Sequence, residues 1–167
     1  MAGVLVFAEQ REGTFRNAAF EAVSVGRRLA DELNTELVTA VVGAGVGDMA
    51  ASLGRYGADR VIVADAQDLA RFSSDGYTTA LADIARSFDP SVLLLSASVT
   101  GKALGSAVAA RLETGLATDC IDISIADGRL EIQRPVYAGK AIATVIIKTD
   151  PQIVSLRPNV FPATVTD

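Results

Sequence analysis

Val92-Leu93-Leu94-Leu95-Ser96-Ala97-Ser98-Val99-Thr100-Gly101-Lys102 is the stretch on which the fold turns. Its aliphatic run suits a strand buried on both faces, the environment of a parallel sheet. Three hydroxyls and a glycine follow. Leu104, Val108 and Leu112 then recur along one side of a helix from Lys102 to Leu112. Strand, polar loop and helix in that order make half of a β-α-β unit.

The same alternation extends toward the amino terminus. Val4-Leu5-Val6-Phe7-Ala8, Leu37 to Val42 and Arg60-Val61-Ile62-Val63-Ala64 are further strand-like runs. Between the first two, Phe15, Ala18, Ala19, Ala22, Gly26, Leu29, Ala30 and Leu33 keep helical spacing, with Arg27, Arg28, Asp31 and Glu32 on the other side. A short helix is expected from Asp48 to Leu53, stopped by Gly54. Tyr77, Leu81, Ile84 and Phe88 place another over Gly76 to Phe88, with Pro90 just beyond it. Connections of this kind are right-handed and bury a parallel sheet on both faces.

Toward the carboxyl terminus the period changes near Thr118. Ile121-Asp122-Ile123-Ser124-Ile125 and Arg129-Leu130-Glu131-Ile132 alternate around Asp127-Gly128, a hairpin signal. Ala143 to Lys148 and Ile153 to Leu156 are further strands, parted by Asp150-Pro151, so an antiparallel patch is expected after the parallel core. The fold class is therefore α/β, a doubly wound and mainly parallel nucleotide-binding-like sheet with a small antiparallel patch. Residues 1–157 form the domain. Residues 158–167 hold two of the five prolines and no helical period, as at the start of a linker or an arm lying on a partner.

Composition narrows the chemistry. At 167 residues and 17.3 kDa the chain suits one domain and buries roughly 68–70% of its unfolded surface without a staple. Half of it is hydrophobic, but only 5% is aromatic and tryptophan is absent, which suits helices packed on aliphatic strands. The single cysteine, Cys120, excludes an internal disulfide, a CxxC pair and a zinc ribbon. With no histidine there is no Ser-His-Asp triad, no histidine metal cluster and no imidazole shuttle. A net charge of −5 and a pI near 4.7 disfavour nucleic acid. Met1-Ala2-Gly3 runs straight into the first strand without a basic leader, and no run reaches the ~18 apolar residues of a membrane span. The expected compartment is a reducing cytoplasm, or the mitochondrial matrix in a eukaryote.

Ligands in doubly wound sheets sit beyond the carboxyl ends of the strands. Three loops qualify. Ala8-Glu9-Gln10-Arg11 follows the first strand. Gly43-Ala44-Gly45-Val46-Gly47-Asp48 follows the second; it carries Asp48 where a dinucleotide fingerprint needs glycine, and reads as a glycine-rich turn. In the third, Ser98, Thr100, Gly101 and Lys102 offer hydroxyls, a bare backbone and an ammonium at a helix start, as a phosphate loop does. Ser96 and Ala103 depart from a Walker motif, and capping of the helix by Ser98 or Thr100 accounts for the same residues without a ligand. No GxSxG elbow is present. Cys120 beside Asp119 reads as structural, and the pairs Glu9/Glu12 and Asp119/Asp122 read as solvated acids. No catalytic residue and no metal site is assigned.

Several segments nevertheless share one resemblance. Leu93-Leu94-Leu95-Ser96-Ala97-Ser98, Gly101-Lys102, Val108-Ala109-Ala110-Arg111-Leu112 and Thr118-Asp119 occur in order. Arg134-Pro135-Val136-Tyr137-Ala138-Gly139-Lys140-Ala141 and Leu156-Arg157-Pro158-Asn159-Val160-Phe161 follow, and Val4-Leu5-Val6-Phe7-Ala8-Glu9 opens the chain. Together they resemble the amino-terminal half of the electron transfer flavoprotein alpha subunit, with Lys140 where the family commonly has asparagine. The resemblance implies an adenine nucleotide hydrolase-like sheet that holds no redox cofactor itself. It implies a heterodimer with a beta subunit, FAD held by a carboxy-terminal domain of alpha, and AMP or a second flavin in the beta counterpart. Dehydrogenases would supply the electrons. On this reading the loops of residues 8–11, 43–48 and 98–102 form a relic pocket or support a partner.

Arg134, Tyr137, Arg157 and Phe161 are then the expected contacts to the beta subunit or the FAD domain, because arginine and aromatic side chains favour interfaces. The alternative is that Tyr137 and Phe161 finish the domain's own core. A free-standing adenine-nucleotide-binding module is the rival reading of the whole chain. The SGGxDS loop of sheet-sharing pyrophosphatases is absent from it, Ala8-Glu9-Gln10 standing there instead.

Overall fold

The computed structural model describes residues 3–166. Met1, Ala2 and Asp167, the outer ends of the no-leader and linker expectations, lie outside the described residues. The first half contains β1 (Val4–Phe7), β2 (Gln10–Arg11), β3 (Thr14–Phe15), α1 (Asn17–Glu32), β4 (Leu37–Gly43) and α2 (Gly47–Ala50). A 3-10 turn (Ala51–Tyr56) leads to β5 (Arg60–Asp65), and α3 (Ser74–Phe88), β6 (Val92–Ser96) and α4 (Val99–Arg111) follow. The rest is β7 (Leu116–Cys120), β8 (Asp122–Ala126), β9 (Arg129–Val136), β10 (Ala141–Ile146) and β11 (Gln152–Leu156).

Six strands form the main sheet in the order β5-β4-β1-β6-β11-β7, parallel throughout. Side chains alternate across it, as strand geometry requires. Val4, Val6 and Leu94 face α1 and the small sheet, whereas Leu5, Phe7, Leu93 and Leu95 face α3 and α4. A Cβ on Gly26 of α1 would stand 2.6 Å from a Val6 methyl, so glycine lets that helix close on β1.

The small sheet, ordered β10-β9-β8, is antiparallel and packs beside α1. Its Asp127-Gly128 turn has φ of 51° and 73°, the paired positive values that a tight two-residue hairpin demands.

Two expectations need correction. Ile153 to Leu156 does not belong to the antiparallel patch: β11 lies inside the main sheet, parallel to both β6 and β7, with Ile153 beside Leu93. The chain reaches it from β7 through the β8-β9-β10 excursion instead of a crossover helix. The edge strand β7 gives no strand signal in the sequence, because Thr118 and Asp119 interrupt its apolar pattern. A smaller difference concerns the turn after α2, which runs past Gly54 to Gly57, where φ reaches 97°.

Candidate functional site

The main sheet reverses its strand order between β1 and β6. The loop after β1 leads to α1 on one face, and the loop after β6 leads to α4 on the other. Ligands of doubly wound folds enter at such a point, and a cleft of about 720 Å³ lies there, lined by Glu9, Arg11, Arg16, Phe72, Tyr77, Ser98 and Thr100 among others.

The chain ties this cleft with its own side chains. Ser98 caps α4: its Oγ accepts the Gly101 N–H at 2.9 Å and donates to Glu9 Oε2. Glu9 is buried, and its other carboxylate oxygen lies 3.9 Å from Arg16 Nε. Gln10 Nε2 donates to the Val42 carbonyl at 3.0 Å, and the Tyr77 hydroxyl donates to the Leu69 carbonyl at 3.1 Å. Burial pushes the Tyr77 phenol above its ordinary range, against the opposing pull of Gln10. Gly101 is obligatory, because a Cβ there would fall 1.8 Å from the Ser96 carbonyl oxygen.

Of the four phosphate-loop candidates, Ser98 and Thr100 stand on the cleft wall and Gly101 is buried behind it. Lys102 is exposed and does not line the cleft; its charge acts on Asp119. The arrangement does not fit a flavin or other pyrophosphate at α4. The buried Glu9 carboxylate already engages Ser98 at that helix start, and Lys102 is not among the residues that line the cleft.

A second cluster gathers distant parts of the sequence. Arg157 grips Asp119 with two hydrogen bonds, Nε to Oδ1 at 3.0 Å and Nη2 to Oδ2 at 2.6 Å. Arg134 Nη2 donates to Thr118 Oγ1 at 3.0 Å. The Arg157 hydrogen bond holds the Asp119 carboxyl below its ordinary value, outweighing partial burial, with Lys102 and Arg134 assisting. Burial is the main reason that the adjacent Cys120 thiol is pushed up to about 12. Thus Thr118-Asp119, Arg134 and Arg157 meet in space.

Tyr137 and Phe161 lie apart from that cluster. Tyr137 is 82% exposed at the β9–β10 hairpin tip, where Tyr137, Ala138 and Gly139 all have positive φ. Phe161 packs on the core beside α1. The tail around it is held by the domain. The Asn159 N–H donates to Glu21, the Thr164 N–H to Ser24 Oγ, and the Thr166 N–H to the Arg55 carbonyl.

Among the described residues no group of acids and cysteine is arranged to hold a metal ion, and no helix is long and apolar enough to cross a membrane. Two residues of these clusters carry no signal in the sequence: Glu9 reads as a solvated acid yet is buried against Ser98, and no local spacing links Asp119 to Arg157.

Fold and cleft together define a doubly wound α/β domain whose switch-point crevice is braced from within. The chain belongs to the electron transfer flavoprotein domain family, which matches residues 4–167. It is 40% identical to protein FixB of Clostridium saccharobutylicum, over 99% of this chain and 50% of that one. It is 38% identical to the electron transfer flavoprotein subunit alpha of Clostridium acetobutylicum, over 95% of this chain and 48% of that one. The chain spans about half the length of the curated relatives it matches. A universal stress protein structure from Archaeoglobus fulgidus superimposes with a TM-score of 0.45 at 11% identity, covering 66% of this chain and 92% of that one.

Proposed function

We propose that this chain is the amino-terminal scaffold and interaction domain of an electron transfer flavoprotein alpha subunit. It would work within an FAD-containing heterodimer that passes electrons from dehydrogenases to an acceptor. The observation that carries the reading is the extent of the match: the family domain covers nearly the whole chain, with subunit-alpha relatives aligned end to end along it.

In this proposal the domain performs no turnover alone. The FAD is held by the other half of the alpha subunit, the beta subunit docks on this domain and carries AMP or a second flavin, and dehydrogenases reach the assembly through that complex. Support comes from the braced cleft, where Glu9 and Ser98 satisfy each other. Arg134 and Arg157 organise one docking contact around Asp119, Tyr137 offers a separate one at the exposed β9–β10 hairpin tip, and Phe161 fixes the tail against α1.

Two measurements test the proposal. The purified chain should be colourless, and a stoichiometric flavin spectrum would reject that part. Coexpression with a beta subunit should give a complex weakened by Tyr137→Ala with Arg157→Ala; unchanged affinity would remove the interface assignment.

A further inference from the structure

The switch-point cleft keeps two cations unused. Arg11, Arg16 and Arg71 line it together with Glu9 and Glu12, so its wall carries one net positive charge in a chain of net charge −5. Arg16 stands against Glu9. Neither the Arg11 nor the Arg71 guanidinium has a hydrogen bond or ion pair among the described residues, whereas Arg27, Arg28, Arg86, Arg129 and Arg157 all hold carboxylates.

Both free arginines stand on fixed supports. Arg11 ends β2, where its neighbour Gln10 is anchored on the Val42 carbonyl and accepts the Gly13 N–H through Oε1 at 3.1 Å. Positive φ at Glu12 and Gly13 closes that hairpin. Arg71 follows the 3-10 turn Gln67–Leu69, whose last carbonyl accepts the Tyr77 hydroxyl. Charges carried on ordered loops bind at a lower entropic cost.

An aromatic wall completes the cleft. Phe72 lines it, is 43% exposed and meets Tyr77 edge to face, with ring centroids 5.0 Å apart. An exposed aromatic beside unpaired guanidiniums suits a flat ring bearing an acid: guanidinium grips a carboxylate through paired hydrogen bonds, and the ring stacks or packs on its counterpart. At about 720 Å³ the cleft has the size of a small-molecule site. Charge selects among acids. One net positive charge balances a monoanion, and the Gly101 N–H at the start of α4, where a phosphate would bind, is already bonded to Ser98.

We infer that the exposed wall of this cleft is a binding site for an aromatic monocarboxylate, its carboxylate taken by Arg11 and Arg71 and its ring by Phe72. The site draws on none of the Glu9–Ser98 brace. It goes beyond the scaffold reading, which gives this cleft no ligand of its own.

Calorimetric titration of the full chain with naphthalene-2-carboxylate tests the inference, with the neutral carboxamide, cyclohexanecarboxylate and adenosine monophosphate as comparisons. Naphthalene-2-carboxylate should bind saturably with a Kd below about 1 mM, tighter than the carboxamide by roughly tenfold or more. Arg11→Gln with Arg71→Gln should weaken it by about tenfold and leave urea stability unchanged, since both side chains are exposed and unbonded. Phe72→Leu should weaken naphthalene-2-carboxylate and not cyclohexanecarboxylate, while Ser98→Ala should leave the affinity as it was. No saturable binding, equal affinity for the carboxamide, or an affinity unmoved by the arginine changes would overturn the inference. Tighter binding of adenosine monophosphate would also overturn it, because the site would then read phosphate. So would displacement of the ligand by an added beta subunit, which would make the two arginines part of that interface.

Discussion

The two sheets solve opposite problems. In the main sheet β6 and β11 are buried along their whole length, and even their polar residues are matched: Ser96 Oγ donates to the Ala18 carbonyl, and Ser155 Oγ accepts the Asp119 N–H. In the small sheet Ile123, Leu130 and Ile132 face the core while Ile142, Thr144 and Ile146 face water. The difference teaches where contacts are already made: the parallel sheet matches its polar groups within the chain, whereas the antiparallel sheet leaves the outer face of β10 to water.

The sharpest test of that contrast is Gly101→Ala. The new methyl would overlap the Ser96 carbonyl, which is backbone and cannot swing aside, so the loss should be about 4 kcal/mol or more, or the chain should fail to fold. Gly105→Ala, four residues along the same helix, is the control. Its nearest neighbours would be 3.7 Å away, and higher helix propensity should raise stability by about 0.5–1 kcal/mol. Urea unfolding of both variants reads the difference directly.

Next in size comes Leu94→Ala against Ile142→Ala. Leu94 is fully buried and should cost about 2–5 kcal/mol. Ile142, exposed on the outer face of β10, should change stability by about 0.5 kcal/mol or less. Equal losses would mean that the small sheet is as closed as the large one. Smaller still, Ser98→Ala should remove the α4 cap and the Glu9 contact for about 1 kcal/mol. If inorganic phosphate stabilises the wild-type chain and not this variant, the start of α4 holds an anion and the contrast weakens.

What the sequence disclosed follows the same division. Strands buried on both faces announced themselves as aliphatic runs, and Asp127-Gly128 declared its hairpin, because these features are set by nearest neighbours along the chain. The place of β11 was hidden. A short run such as Ile153 to Leu156 says strand, but the choice between joining β10 and slipping between β6 and β7 is made by long-range packing, with Gln152 Oε1 accepting the Leu130 N–H. The candidate loop at Ser98 was legible as both phosphate cradle and helix cap, and only Glu9, 89 positions away, shows that the hydroxyl is already engaged. The family segments were legible one by one. That Asp119, Arg134 and Arg157 gather at one point required the fold.

The smallest effect is read in pH, at the place where the two sheets meet. Asp119 adopts φ of 59°, a conformation asparagine tolerates, so Asp119→Asn removes charge without imposing backbone strain. Its native carboxyl titrates below the ordinary 3.8 because Arg157 hydrogen-bonds the charged form. A group with a depressed native value contributes fully above its unfolded value and loses that contribution as pH falls through the native one. The wild type should therefore exceed Asp119→Asn in stability at neutral pH by a constant margin. That margin should shrink progressively once the pH drops below 3.8, and vanish when both states are protonated. Both partners are partly solvated, so added salt should narrow it as well. Urea unfolding of the pair from pH 7 to acid, at low and high salt, measures the gap. A gap unchanged by acid would show that Asp119 holds this junction through shape alone, and that the charge on Arg157 is free to serve a partner.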